Sequence, residues 1–294
     1  MSFGRPYITK IEGCIHDGWL VLSPRERDEI HSDFFYYLLG SPEFKRVFEK
    51  QAAGAVVKNL NTGIVKRTPI RLPKTVEEQR RIAAILDKAD AIRRKREQAL
   101  ALADDLLKST FLEMFGDPVL NTKQLPTIAL GDLIKVSSGD GLTAKNMDPA
   151  GKYLVYGGNG VNGYHSEFMF EEPQLVIGRV GVYCGAVHIT EPNSWVTDNA
   201  LYVRKYKRPV EVPYLEWALR FANLNQYAGR AAQPLISGSR IYPIEIVFPS
   251  GPEQQKFSRY FERHRVATNQ LSTAVNGASD LFASLSQRAF RGEL

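Results

Sequence analysis

Residues 72–90 read Leu72-Pro73-Lys74-Thr75-Val76-Glu77-Glu78-Gln79-Arg80-Arg81-Ile82-Ala83-Ala84-Ile85-Leu86-Asp87-Lys88-Ala89-Asp90. From Ile82 the spacing is helical: Ile82, Ile85, Ala89, Ile92, Arg96, Ala99, Ala103, Leu106 and Thr110 succeed one another by three and four. That is a heptad seam with one basic interruption. Leu86, Leu100, Leu107 and Met114 form a second stripe that widens the apolar face. Pro73 lies just ahead, where a helix tolerates proline. The signature returns about 176 residues later as Phe248-Pro249 followed by Glu253-Gln254-Gln255, with Pro252 again just ahead of a helix. There Phe257, Phe261, His264, Thr268, Leu271, Val275, Ala278, Phe282, Leu285 and Ala289 keep the alternation without a break.

Further echoes make this an internal repeat. Asp105-Leu106-Leu107-Lys108-Ser109 matches Asp280-Leu281-Phe282-Ala283-Ser284, and Phe115 matches Phe290. Upstream, His16-Asp17-Gly18-Trp19-Leu20-Val21 resembles Thr197-Asp198-Asn199-Ala200-Leu201-Tyr202, and Leu60-Asn61-Thr62-Gly63 resembles Leu235-Ile236-Ser237-Gly238. Each repeat ends in a helix of roughly forty residues, about 60 Å at 1.5 Å per residue. That is close to two turns of B-form DNA at about 34 Å each. The two seams, alike in length and both mixing small with aromatic residues, are expected to pair antiparallel; the alternative packs each helix on its own domain.

Residues 118–250 read as short strands and turns. Gln174–Arg179 and Ala200–Val203 suit strands, Tyr214–Leu219 a short helix, and Val155–Gly160 a turn-rich break. Residues 1–71 hold only the later part of such a unit, a strand at Trp19–Leu22 and a helix at Phe34–Leu39. No counterpart of 125–180 precedes them, so the first repeat reads as truncated.

Composition excludes several classes. Of 294 residues, 44% are hydrophobic, enough for buried cores, and the N-terminus lacks a signal peptide's apolar stretch. Two distant cysteines, Cys14 and Cys184, make no disulfide framework, so a cytoplasmic protein is expected. The net charge of +6 leans towards an acidic partner. Gly157-Gly158-Asn159-Gly160-Val161-Asn162-Gly163 is not a Walker loop, because neither the lysine nor a helix follows. The histidines are scattered, so no metal site is expected. Cys184 has no base beside it in the sequence, and there is no stretch for amino methylation of a base and no nuclease pattern. These omissions favour a protein without catalytic residues over a free-standing enzyme with a glycine-rich nucleotide site.

What the sequence offers instead is polar and basic residues in turns: Lys145, Asn146, Asn159, Asn162, Arg179, Thr197, Asn199, Arg230, Gln233, Ser237, Ser239 and Arg240, with Lys58, Asn59 and Asn61 in the first repeat. Arg and Lys read guanine edges, Asn and Gln read adenine, and any of them holds phosphate. Arg93, Arg94 and Arg96 on the first helix, and His264 on the second, are candidates for docking a partner subunit.

The repeat and its helices resemble the specificity (S) subunits of type I restriction–modification enzymes. The residues that carry the likeness are Leu72-Pro73 with 77–90, Leu112–Pro118, Tyr156–Gly160, Ile177–Gly181, Cys184-Gly185, Trp195–Leu201 and Glu12–Trp19. The resemblance implies an α+β fold in which globular target-recognition domains are separated by two long antiparallel, coiled-coil-like helices. It divides the chain into a partial first recognition domain (1–74), a spacer helix (75–117), a complete recognition domain (118–250) and a second spacer helix (251–294). It implies recognition of a bipartite double-stranded DNA site, the helices setting the spacing between the two halves. Methyltransferase (M) subunits would bind S-adenosylmethionine and a restriction (R) subunit would use ATP and magnesium, with no cofactor or metal in this chain. The partial first domain leaves three arrangements: self-association through the helices, an exchangeable cassette, or a non-reading modulator that binds M subunits and dampens restriction.

Overall fold

The computed structural model describes residues 4–24, 29–51, 60–229 and 234–294. In chain order the helices are α1 (Ser32–Gly40), α2 (Pro42–Gln51), α3 (Thr62–Arg67), α4 (Val76–Phe115), α5 (Leu130–Leu133), α6 (Val212–Phe221), α7 (Gly238–Ile241) and α8 (Gly251–Arg291). The strands are β1 (Thr127–Ala129), β2 (Ile134–Ser138), β3 (Tyr153–Gly157), β4 (Gly160–His165), β5 (Leu175–Gly178), β6 (Val187–Ile189), β7 (Trp195–Val196), β8 (Ala200–Tyr206) and β9 (Glu245–Val247). They form two compact units, Met1–Leu102 with Thr268–Leu294, and Ala103–Ala267, so each long helix contributes to both.

The first unit is helical among its described residues. α1 buries Phe34, Tyr37 and Leu38 on one face. It ends where Ser41 and Pro42 follow Gly40; Ser41 Oγ accepts the N–H of Phe44 and so caps α2. Asn61 caps α3 by accepting the N–H of Ile64 at 2.9 Å. These short helices bury Phe34, Phe44, Phe48 and Ile64 against Ile82, Ala83 and Leu86 of α4 and Ala289 of α8. Trp19–Leu22 is not a strand, contrary to its sequence pattern, and Val21 and Leu22 are exposed. Its counterpart β8 is a strand because β2 and β5 flank it. The described residues of the first unit contain no strand to pair with 19–22, and an unpaired ladder has nothing to satisfy its backbone groups.

In the second unit the sheets are β2-β8-β5-β6, β4-β3-β7 and the pair β1-β9. All pairings are antiparallel except β3 with β7. The segment 155–160 is therefore not a break: Val155–Gly157 belong to β3, and only Gly158 and Asn159 turn the chain into β4. The core joins Leu133, Ile134, Leu175 and Ile177 to Tyr214 and Leu215 of α6, and to Phe111, Phe115 and Phe257 of the long helices. Phe111 alone has rings of Tyr214, Phe221 and Phe257 within 5.8 Å, centroid to centroid.

Within each unit the long helices pack antiparallel. In the first, Arg96 Nη1 donates to the Ala274 carbonyl at 2.7 Å, while Ile82 and Ala89's end of α4 meets Ala289's end of α8. In the second, His264 Nε2 and Asp104 Oδ1 are 3.0 Å apart, and Phe111 meets Phe257 edge to face. The seam on α8 follows the sequence pattern. On α4 it does not: Ile92 and Leu106 are exposed, whereas Leu86 and Leu107 are buried. The working seam is 82, 86, 89, 93, 96, 100, 103 and 107, so it draws on the second stripe and runs through two arginines. Arg93 is tolerated there because Asp90 and Glu97 accept its N–H groups and its guanidinium lies 5.8 Å from the Phe282 ring centre.

Both helices begin with the same joint. Thr75 and Ser250 precede α4 and α8, each with a glutamate three residues on. Glu78 N–H donates to Thr75 Oγ1 in one, and Ser250 N–H donates to Glu253 Oε2 in the other. The next residue, Gln79 or Gln254, is buried. Gln79 Oε1 accepts the N–H of His31, which leads into α1, at 2.9 Å; Gln254 Oε1 accepts the N–H of Glu211, which leads into α6, at 3.0 Å. The helix register is thus Gln79 with Gln254, one residue off the pairing of Gln79 with Gln255 that the Leu72-Pro73 and Phe248-Pro249 match gives. The second linker is one residue shorter, since Lys74 separates Pro73 from Thr75 whereas Ser250 follows Pro249 directly. Pro252 accordingly lies inside the first turn of α8 rather than ahead of it.

Candidate nucleic-acid interface

In the second unit, loops far apart in sequence meet along one rim. Arg179 N–H donates to the Asn199 carbonyl (2.9 Å), and the Arg179 carbonyl accepts the N–H of Ile236 (2.9 Å). Gly181 N–H donates to Pro234, and Gly139 and Asp140 N–H groups donate to Ala200 and Val196. The loops after β2, β5 and β7 and the 234–239 turn are therefore laced by main-chain bonds. The approach is too close for side chains at two points. A Cβ on Gly178 would lie 2.4 Å from the carbonyl oxygens of Gly158 and Tyr183, and one on Gly139 would lie 2.2 Å from the Val196 oxygen. Glycine is required there by contact.

The rim gathers Asn159, Arg179, Asn199, Ser237, Ser239 and Arg240. Asn159, Asn199, Ser239 and Arg240 are exposed; Arg179 and Ser237 are half-buried. Arg179 is held from two sides, its Nη1 donating to Ser138 Oγ at 3.1 Å and to the Asp198 carbonyl at 3.4 Å. Ser237 and Ser239 hydroxyls are 2.9 Å apart. A Cβ on Gly229 would lie 3.2 Å from Arg240 Nη2, so that guanidinium rests against the 229 backbone.

Other candidates lie elsewhere. Thr197 is buried, and its N–H donates to Tyr156, so it belongs to the framework rather than the surface. Asn162 is in strand β4, not a turn, with its side chain folded over Gly157. Lys145 and Asn146 are exposed in a separate turn that Asp148 N–H ties to Tyr164 of β4. Asn61 spends its side-chain oxygen on capping α3. Lys58, Asn59, Arg230 and Gln233 lie outside the described residues. The sequence reading missed Ser138, which holds Arg179 together with the Asp198 carbonyl, and Val182 and Tyr183 at the tip of the 179–186 loop. The signal for the tip was available: Gly181 and Gly185, both with positive φ, bracket it.

On the helices, Arg93, Arg96 and His264 are engaged in the pair itself. Arg94 is more exposed and pairs with the buried carboxylate of Asp90. Among the described residues no group of three or more His, Cys, Asp or Glu side chains could hold a metal ion, and no helix is long and apolar enough to cross a membrane. Cys14 is exposed and Cys184 buried, both as free thiols. Burial pushes the Cys184 thiol up, away from the reactive thiolate.

Residues 1–102 match the model of the type I restriction modification DNA specificity domain. Over 249 residues, 81% of this chain, the sequence is 24% identical to the type I restriction enzyme EcoprrI specificity subunit of Escherichia coli. Over 139 residues, 44% of this chain, it is 31% identical to a putative type I specificity subunit of Mycoplasma pneumoniae. The chain spans 62% of the first relative's length and 36% of the second's. The fold is that of the type I restriction–modification S subunit of M. genitalium, with a TM-score of 0.64 at 18% identity, covering 90% of this chain and 74% of the other. The repeat, the antiparallel helices and the flanking sheets agree with this likeness to type I restriction–modification specificity subunits.

Proposed function

We propose that this chain reads DNA sequence for a type I restriction–modification complex, directing methyltransferase and restriction subunits to their site while catalysing nothing itself. The observation that carries the reading is the rim of the second unit, where Asn159, Arg179, Asn199 and Arg240 are brought together on a backbone locked by hydrogen bonds. Base recognition needs donors and acceptors held at fixed positions, and preorganisation of this kind lowers the cost of binding. In this reading S-adenosylmethionine, ATP and magnesium belong to the partners, the complex works in the cytoplasm, and two copies associating through their helices present two rims to a bipartite site.

The test is selection from a randomised duplex library by the purified full chain together with its methyltransferase subunits. Enrichment of one defined motif is expected. Recovery of unselected DNA by a complex that still contains both subunits would replace this reading with the modulator.

A further inference from the structure

The loop joining β5 to β6 presents apolar side chains from firmly held backbone. Val182 is 87% exposed and Tyr183 54%, and Leu235, which bridges Val180 beside them, is 38% exposed. Single exposed apolar residues are common and need no purpose. These three differ in how they are held. Gly185 N–H donates to Gly178 and Gly178 N–H to Ala186 across the base of the loop, at 2.8 and 2.7 Å. Cys184 N–H donates to Gly181, Ala186 N–H to Tyr183, and Asn225 Nδ2 to the Cys184 carbonyl. The buried Cys184 thiol donates to the Arg179 carbonyl, and Gly181 N–H is tied to Pro234. At the same rim stand Arg179, Asn199, Ser237 and Arg240, which are donors and acceptors suited to phosphates and base edges.

From this juxtaposition we propose that Val182, shouldered by Tyr183 and Leu235, is a specificity-determining contact that packs against the C5 methyl of a thymine in bound duplex DNA. The proposal rests on the reading of the rim as a DNA interface. Polar groups cannot reward a thymine methyl; only an apolar side chain at the base edge does so. A β-branched residue on a fixed turn loses little side-chain freedom in making that contact.

The experiment uses the full chain with its methyltransferase subunits and the motif obtained by library selection. Each thymine of the motif is replaced in turn by deoxyuridine, which removes the methyl and leaves base pairing intact. Wild type should weaken about four-fold at one position, the worth of one buried methyl group. Val182→Ala should bind the thymine and deoxyuridine sites equally, and Tyr183→Phe should behave as wild type. The inference is overturned if the motif contains no thymine, if no position is sensitive, or if Val182→Ala keeps the wild-type sensitivity. Failure to select any motif would instead sink the DNA-reading proposal beneath it. Circular dichroism of Val182→Ala, a change at an exposed tip, checks that the variant is folded.

Discussion

In the first unit Gln79 clamps the lead-in to α1, and in the second Gln254 clamps the lead-in to α6, by the same bond to the same kind of backbone group. Phe34 and Tyr214 then occupy matching, fully buried places on those two helices. What differs is what the clamped helix rests on. α1 packs against other helices and the ends of α4 and α8, whereas α6 covers a four-stranded sheet whose far loops make the rim. The joint with the helix pair is thus a self-sufficient module, and the rim loops are an addition that requires the sheet. A described first unit without strands can keep the pairing surface and still offer no second rim.

The largest effects should separate the two modules. Phe111→Ala removes a ring packed among Tyr214, Phe221 and Phe257, and should cost about 3–5 kcal/mol. Phe34→Ala, which loses edge contacts to Phe35 and Phe290, should cost a similar amount in the other unit. Hydrogen exchange distinguishes them: Phe111→Ala should accelerate exchange in 127–247 and spare α1 and α2, and Phe34→Ala the reverse. Acceleration of both regions by either variant would mean one cooperative unit instead of two. Next in size are Gln79→Leu and Gln254→Leu, each leaving a backbone N–H without its acceptor at about 1–3 kcal/mol. Urea unfolding should find the two losses alike, and a loss at one site alone would break the equivalence of the joints.

The helices and the repeat were legible because their signals are local: a heptad and a capping pair are both read within a few residues. Which of two parallel stripes on α4 forms the seam was not legible. Ile92 looks better than Arg93 on hydrophobicity, and only the partners Asp90, Glu97 and Phe282 make Arg93 the inward residue. The rim was legible in part. Residue types identified Asn159, Arg179 and Asn199, but their meeting depends on β8 lying between β2 and β5, a pairing of distant segments that no local pattern encodes. For the same reason Thr197, which reads as a turn residue, is buried beneath that meeting point.

The smallest expected effect concerns pH and belongs to the second unit. Burial pushes the Glu216 carboxyl above its ordinary value, against the pull of Arg220 2.6 Å away, whereas hydrogen bonds from Ser250 hold Glu253 below. The corresponding places in the first unit are Tyr36, which has no carboxyl, and Glu78, which Arg81 also holds low. A raised carboxyl binds its proton more tightly in the folded state, so stability falls as pH rises above the ordinary glutamate value. A lowered one does the opposite: its contribution is present above the ordinary value and is lost as pH falls through the folded one. His188, pushed down by burial and by Arg220, tilts the weakly acidic range the other way, because the unfolded chain protonates first. The test is therefore the difference between each variant and wild type in urea midpoint across pH. Glu216→Gln should remove a decline above the ordinary carboxylate value, and Glu253→Gln should remove a loss below it. If Glu216→Gln leaves the upper slope unchanged, the buried carboxyl does not distinguish α6 from α1, and the asymmetry between the units is one of sheet packing alone.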